Sequence, residues 1–191
     1  MTYLSGLQAL IDSWEDPFIE PDPTEVFQQS PAGNINRDGT SACADSPIFV
    51  KYHRYFKRSL EVGVRDLTIA LILKFNCITY SSCQGHPGTS DAIMRPRYIA
   101  IVPRHPQEYQ TLFKLLHHLA DQTNAAFPQS AVKVVIGNDL LESDDRAPTP
   151  CLTLFFQPTD GNETRYFQEV EPIYQFVLTL VQSYPNSGNS S

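Results

Sequence analysis

No apolar run in the sequence approaches the roughly 18–20 residues that span a bilayer, and the opening Met1-Thr2-Tyr3-Leu4-Ser5 has no basic leader. These absences predict a soluble protein with no membrane partner. Cysteine is scarce: Cys43, Cys77, Cys83 and Cys151 stand 34, 6 and 68 residues apart, with no C-x-x-C knuckle. That argues against a disulfide framework and predicts reduced thiols in a cytoplasmic setting. Basic charge is in deficit, with 14 Lys and Arg against 21 Asp and Glu and a net charge of −7, so a surface that coats nucleic acid is disfavoured. The phosphate-cradling patterns G-x-G-x-x-G and G-x-x-x-x-G-K-[ST] are missing, and no internal period of 20–50 residues is present.

The charge that is there is unevenly placed. Between Lys51 and His105 nine Lys and Arg face three acids, a local excess of six, so the remainder carries −13. A locally positive cleft focuses anions even on an acidic protein, so an anionic small molecule or nucleotide is the expected ligand. Solvated cations on unrelated faces are the bland alternative.

Punctuation divides the chain. Residues 1–47 combine an amphipathic stretch, Leu4 to Trp14, with Pro17, Pro21, Pro23, Pro31, Gly33 and Gly39, which regular structure cannot run far through. The expectation is an N-terminal arm packed through Leu4, Leu7, Leu10, Ile11, Trp14 and Phe18, then a mobile loop to about Ser46. The tail 186–191 has no apolar residue and is expected to be disordered. Residues 48–185 form the expected single α/β domain.

Within it, Val64 to Phe75 is apolar nearly all round, as a buried helix would be. Short strands are expected at Cys77–Ser82 and Arg97–Val102, joined through Gly85, Pro87 and Gly88 and therefore paired antiparallel. A long helix runs from about Pro106 to Ala126, with proline and Glu108 suiting its first turn. Strands over Ala131–Ile136 and Cys151–Gln157 flank an acidic loop, and a last helix covers Arg165–Tyr184, kinked or divided at Pro172. The order α-β-β-α-β-β-α predicts an α/β (α+β) two-layer sandwich on a mostly antiparallel sheet.

One segment carries chemistry: Thr79-Tyr80-Ser81-Ser82-Cys83-Gln84-Gly85-His86-Pro87. Small hydroxyls, an amide and backbone N–H groups beside a glycine turn form a donor-rich nest for a carboxylate or phosphate. Cys83 is the candidate nucleophile and His86 its candidate base, with Cys83 expected to be partly exposed and more reactive than Cys77 or Cys151. Ser81, Ser82, Gln84, Gly85, Arg95, Arg97, Arg104 and His105 are the candidate ligand-binding residues. The plain reading is a buried thiol in an ordinary turn. No metal site is expected, because His117 and His118 diverge by about 100° on a helix and His53 and His105 stand alone. No cofactor is indicated.

The turn resembles that of uncharacterised small α/β domains carrying T-x-S-C-x-G-H, through Thr79, Ser81 or Ser82, Cys83, Gly85 and His86. More distantly it is similar to the Ser-Ser-Cys-Ser-Gly-Arg turn of the wybutosine-tRNA methyltransferase family, departing from it at Gln84 and His86. That resemblance implies an RNA-modifying, S-adenosylmethionine-using protein, an alternative to the anion-binding, possibly catalytic reading. A further alternative is a non-catalytic interaction or regulatory module, docked by the Tyr52–Arg58 segment or by the acidic residues Asp139, Glu142, Asp144 and Asp145. The aromatics and cations of 52–58 also occur in nucleic-acid grooves, though Tyr52 and Phe56 turned inward is the simpler expectation.

Overall fold

Apolar residues at Ile99, Ile101, Leu152, Leu154 and Phe156 lie on one side of a five-stranded sheet, which three long helices cover. The computed structural model describes residues 2–19, 28–29, 35–36, 49–90 and 92–185. The elements run β1 (Thr2–Tyr3), α1 (Leu7–Ser13), β2 (Gln28–Gln29), β3 (Ile35–Asn36), α2 (Phe56–Ser59), α3 (Val62–Phe75), β4 (Ile78–Cys83), β5 (Arg97–Val102), α4 (Pro106–Ala126), β6 (Val132–Glu142), β7 (Thr149–Pro158) and α5 (Glu163–Ser183). From α3 onward this is the α-β-β-α-β-β-α order expected, built as a two-layer α/β sandwich.

The sheet order is β1-β6-β7-β5-β4. Only β1 pairs in parallel, with Thr2 opposite Leu141; β4 with β5, β5 with β7 and β6 with β7 are antiparallel. Strands β5 and β6 therefore point the same way with β7 between them, which requires a long crossover, and α4 supplies it. α5 contacts both α3 and α4, so the three helices lie side by side on one face. The other face carries the row Val135, Phe155 and Tyr98, less buried and with the two rings 5.7 Å apart.

The N-terminal arm is part of this fold. β1 extends the sheet, Leu7 and Trp14 are fully buried, and Trp14 meets Phe56 edge-on at 5.9 Å. Phe18, expected to pack, is 85% exposed, whereas its neighbour Ile19 is partly buried against the core. The expected mobile loop lies mostly, and the expected disordered tail wholly, outside the described residues. α5 is unbroken through Pro172, which sits on its solvent side. Packing of Val170, Ile173, Tyr174 and Val177 against the core holds the helix across the one hydrogen bond that proline removes. β6 runs on to Glu142, so Asp139 and Glu142 belong to a strand and the loop shrinks to 143–148. That loop docks the arm: Asp144 accepts from Gly6 N–H, Ser143 Oγ from Leu7 N–H and Asp145 from the Gln8 and Ala9 N–H groups. The acids thus satisfy the open backbone donors of α1 within the same chain. No helix among the described residues is long and apolar enough to cross a membrane.

Candidate functional site

β4 and β5 pair as expected, from Ile78 opposite Val102 to Cys83 opposite Tyr98. The chain then turns through Gly85, whose φ of 89° favours glycine; a side chain there would also meet Arg97 N at 3.3 Å. His86 closes the turn with a two-bond bridge to Arg95, at 2.9 and 3.0 Å. The loop between them is tied by Thr89 N–H to Ala92 O and by Gly88 N–H to Glu163.

Against this turn stands the start of α3. Its N-cap, Glu61, makes no side-chain capping bond. The helix is capped across space, by Gln84 Oε1 accepting from Gly63 N–H at 3.0 Å. The Glu61 carboxylate is thereby free to face the turn, where Oε2 accepts from Gln84 N–H at 2.7 Å and Oε1 meets His86 Nε2 at 2.9 Å. Glu61 is 5% exposed, and a buried carboxylate needs such partners. Cys83 is 5% exposed as well, not partly exposed as the sequence led us to expect. The strand continues one residue further than predicted, which draws the thiol inside, where Gly85 N–H approaches its sulfur at 3.4 Å. One donor atom each from Glu61, Cys83 and His86 lies within 4.8 Å of the other two.

A supporting layer fixes the turn. Arg97 is buried and spends its side chain on Gln84 O through Nε at 2.9 Å, on Glu171 at 2.9 Å and on the Tyr174 ring at 4.7 Å. Burial works against the Glu171 carboxylate, but hydrogen bonds from Gln175 and Arg97 outweigh it and its pKa is lowered. Tyr166 accepts from Arg97 N–H at 2.8 Å and donates to Phe156 O at 2.9 Å. Burial raises its pKa, so the donating proton stays on.

Of the residues singled out in the sequence, Cys83, Gln84, Gly85, His86, Arg95 and Arg97 are brought together. Ser81 turns to the Tyr98 hydroxyl at 3.0 Å, and Ser82, half-buried, lies one rung away opposite Ile99. Arg104 and His105 are not part of the group. They follow Val102, at the opposite end of the β4–β5 pair, where Arg104 binds Glu15, Glu108 and Asn76 O and His105 caps α4. The expected convergence of arginines on Cys83 is therefore reduced to Arg95 and Arg97, and Arg97 is committed to protein partners. Glu61 is the member that sequence reasoning missed. An acid ahead of an apolar helix reads as an ordinary complement to its dipole, and only the exchange of caps with Gln84 turns it toward the cysteine. In the other described thiols burial disfavours the thiolate: it raises Cys151 and pushes Cys77 up to about 12.

No family model matches the chain, and neither a curated protein nor a solved structure is similar to it.

Proposed function

We propose that this is a metal-binding protein in which Glu61, Cys83 and His86 hold one divalent transition-metal ion, zinc by the chemistry of the donors. The observation that carries the reading is the meeting of a thiol, an imidazole and a carboxylate from separate segments within 4.8 Å, two of the three being buried. Bonds of about 2.0–2.3 Å place tetrahedral zinc ligands roughly 3.2–3.8 Å apart. The His86–Glu61 contact of 2.9 Å opens by about half an ångström to admit the ion. A thiolate and a carboxylate neutralise its charge, and a mixed sulfur, nitrogen and oxygen set suits zinc over magnesium or calcium.

Three protein ligands leave a fourth position, the pattern of zinc sites that bind water or a substrate oxygen. His86 is the least buried of the three, so an exchangeable ligand would approach from its side. Held by Glu61, Cys83 and His86, an ion would supply Lewis acidity or a water of lowered pKa, and would draw a carboxylate or phosphate without a cluster of free arginines. Gln84, Gly63 and Arg97 hold the ligands in place, a supporting role of the kind that tunes metal affinity.

A second reading uses the same atoms without metal: Cys83 as nucleophile and His86 as base, oriented by Glu61. The approach of Gly85 N–H to the sulfur favours it. One experiment separates the two. Metal-free protein is titrated with zinc against a chromophoric chelator, for the wild type and for Cys83→Ser, His86→Ala and Glu61→Gln, with far-ultraviolet dichroism confirming that each is folded. One zinc per chain, weakened at least about tenfold in each variant, supports the metal centre. Failure of the wild type to compete for zinc, with rapid alkylation of Cys83 that depends on His86, establishes the thiol site in its place.

A further inference from the structure

α3 is apolar almost all round, a pattern that belongs to a helix covered on every side. Among the described residues it is covered on one side only. Toward α5 and the sheet, Val64, Leu67 and Leu71 are fully buried. The opposite flank is open, with Leu73 at 64% exposure. Between this flank and the stretch Lys51–Lys57 runs a groove of about 950 Å³, floored by Phe56, Ile69 and Leu73. Its volume is at the upper end of the range for small-molecule sites, about 300–1,000 Å³.

The rim is cationic. Among the described residues Lys51, Lys57 and Lys74 line it against the single acid Asp66. Lys51 is paired with Glu15, whereas among the described residues neither Lys57 nor Lys74 makes an ion pair. Lys57 comes from α2 and Lys74 from the last turn of α3, so the two bring positive charge to the groove from separate elements.

We infer that this groove binds an anionic amphiphile, an apolar chain or ring system on the α3 flank with its carboxylate or phosphate held by Lys57 and Lys74. The occupant follows from the two halves of the site. Apolar floor removed from water contributes roughly 25 cal/mol per Å², and a lysine at the edge of an apolar surface meets an anionic head while its stem covers the tail. A second copy of this chain fits poorly, because a two-fold contact sets the same lysines against each other. The groove runs along the later turns of α3, away from Glu61 at its start, so the inference stands independently of the metal centre.

The test is isothermal titration of the full chain with dodecanoate and with dodecyl phosphate below their micellar concentrations, with dodecyltrimethylammonium as the charge-inverted control. Either anion is expected to bind once per chain, and the cation not at all. Lys57→Glu with Lys74→Glu is expected to weaken binding about tenfold or more, the loss of charged hydrogen bonds, and Leu73→Asp to abolish it. These positions are exposed or at the rim, and thermal melting confirms that the variants fold. If dodecanoate succeeds and dodecyl phosphate fails, the ligand class is carboxylate; the reverse assigns phosphate. The inference is overturned if neither anion binds, if the cation binds equally, if the variants change nothing, or if sedimentation shows that Leu73→Asp converts a dimer into a monomer.

Discussion

Gly63→Ala isolates the contact that turns Glu61 toward the cysteine. Gly63 is the second residue of α3, and in an ordinary helix replacing glycine with alanine stabilises by roughly 0.5–1 kcal/mol. Here the new Cβ would lie 2.8 Å from Gln84 Cβ, 3.2 Å from its Oε1 and 3.3 Å from an Arg97 guanidinium nitrogen. The first of these is the side-chain atom bonded directly to the backbone, so Gln84 has to move as a whole. Moving it breaks the cap on Gly63 and strains the bond from Gln84 N–H to Glu61. A part-buried donor left unpaired costs about 1–3 kcal/mol, and a hydrogen bond to a charged group contributes about 1.5–3 kcal/mol. Set against the propensity gain, the net is a destabilisation of about 1.5–5.5 kcal/mol. For a chain of this length that lowers the melting temperature by roughly 3–20 °C. Gly161→Ala is the control, since an added Cβ there meets nothing within 4 Å; it should shift stability by less than about 0.5 kcal/mol. Differential scanning calorimetry of both variants decides it. If Gly63→Ala melts at or above the wild-type temperature, the exchange of caps is not what holds the turn.

Further outcomes follow from groups outside the site. Glu169 accepts from Ser130 Oγ, Ala131 N–H and Arg165, which hold its pKa down from 4.5 to about 2. Stability from this group is complete above about pH 4.5 and is lost as pH falls toward 2. Melting curves of wild type and Glu169→Gln should therefore differ at pH 6 and converge near pH 2; a constant gap refutes the linkage. Asp144 and Asp145 are likewise held below their ordinary pKa, Asp144 chiefly by Gly6 N–H and Asp145 chiefly by Ser143. Asp144→Ala with Asp145→Ala should loosen the arm at neutral pH, read as a red shift in the emission of Trp14, the one tryptophan, which is buried. Unchanged emission means that apolar contacts alone seat α1. In native protein at pH 7.5, iodoacetamide should label Cys83 before Cys77 and Cys151, whose thiols burial keeps protonated, and zinc should suppress that labelling; peptide mass spectrometry reads the order, and labelling of Cys77 or Cys151 ahead of Cys83 contradicts it.

Periodicity made most of the fold legible. Both β5 and α4 have the bounds that the apolar pattern marks out, and the glycine turn set the pairing of β4 with β5. The errors have local causes. Alternating burial ends at Ile136, yet β6 continues to Glu142, because pairing with β7 and then β1 holds polar residues in a strand that propensity disfavours. α3 reads as buried on all sides, whereas one flank is left to a groove. Tyr52 was expected to point inward with Phe56, but only Phe56 does so. At the site, linear proximity gathered Cys83 through His86 correctly. It also suggested Arg104 and His105, which the strand direction carries to the other end of the sheet. Glu61 was invisible because its partners are set by tertiary packing: Gln84 takes the capping role that a serine or aspartate at the N-cap would ordinarily fill.

In the proposed metal centre the sulfur of Cys83 binds the ion together with His86 and Glu61. Cobalt(II) titration of the metal-free protein tests it most directly, because a thiolate bound to cobalt gives a charge-transfer band in the near ultraviolet and tetrahedral geometry gives strong visible bands. The account predicts both, saturating at one ion per chain, reversed by zinc, with the near-ultraviolet band missing in Cys83→Ser and the visible bands weakened in Glu61→Gln and His86→Ala. A spectrum like that of aqueous cobalt, or a sulfur band that survives Cys83→Ser, would contradict it.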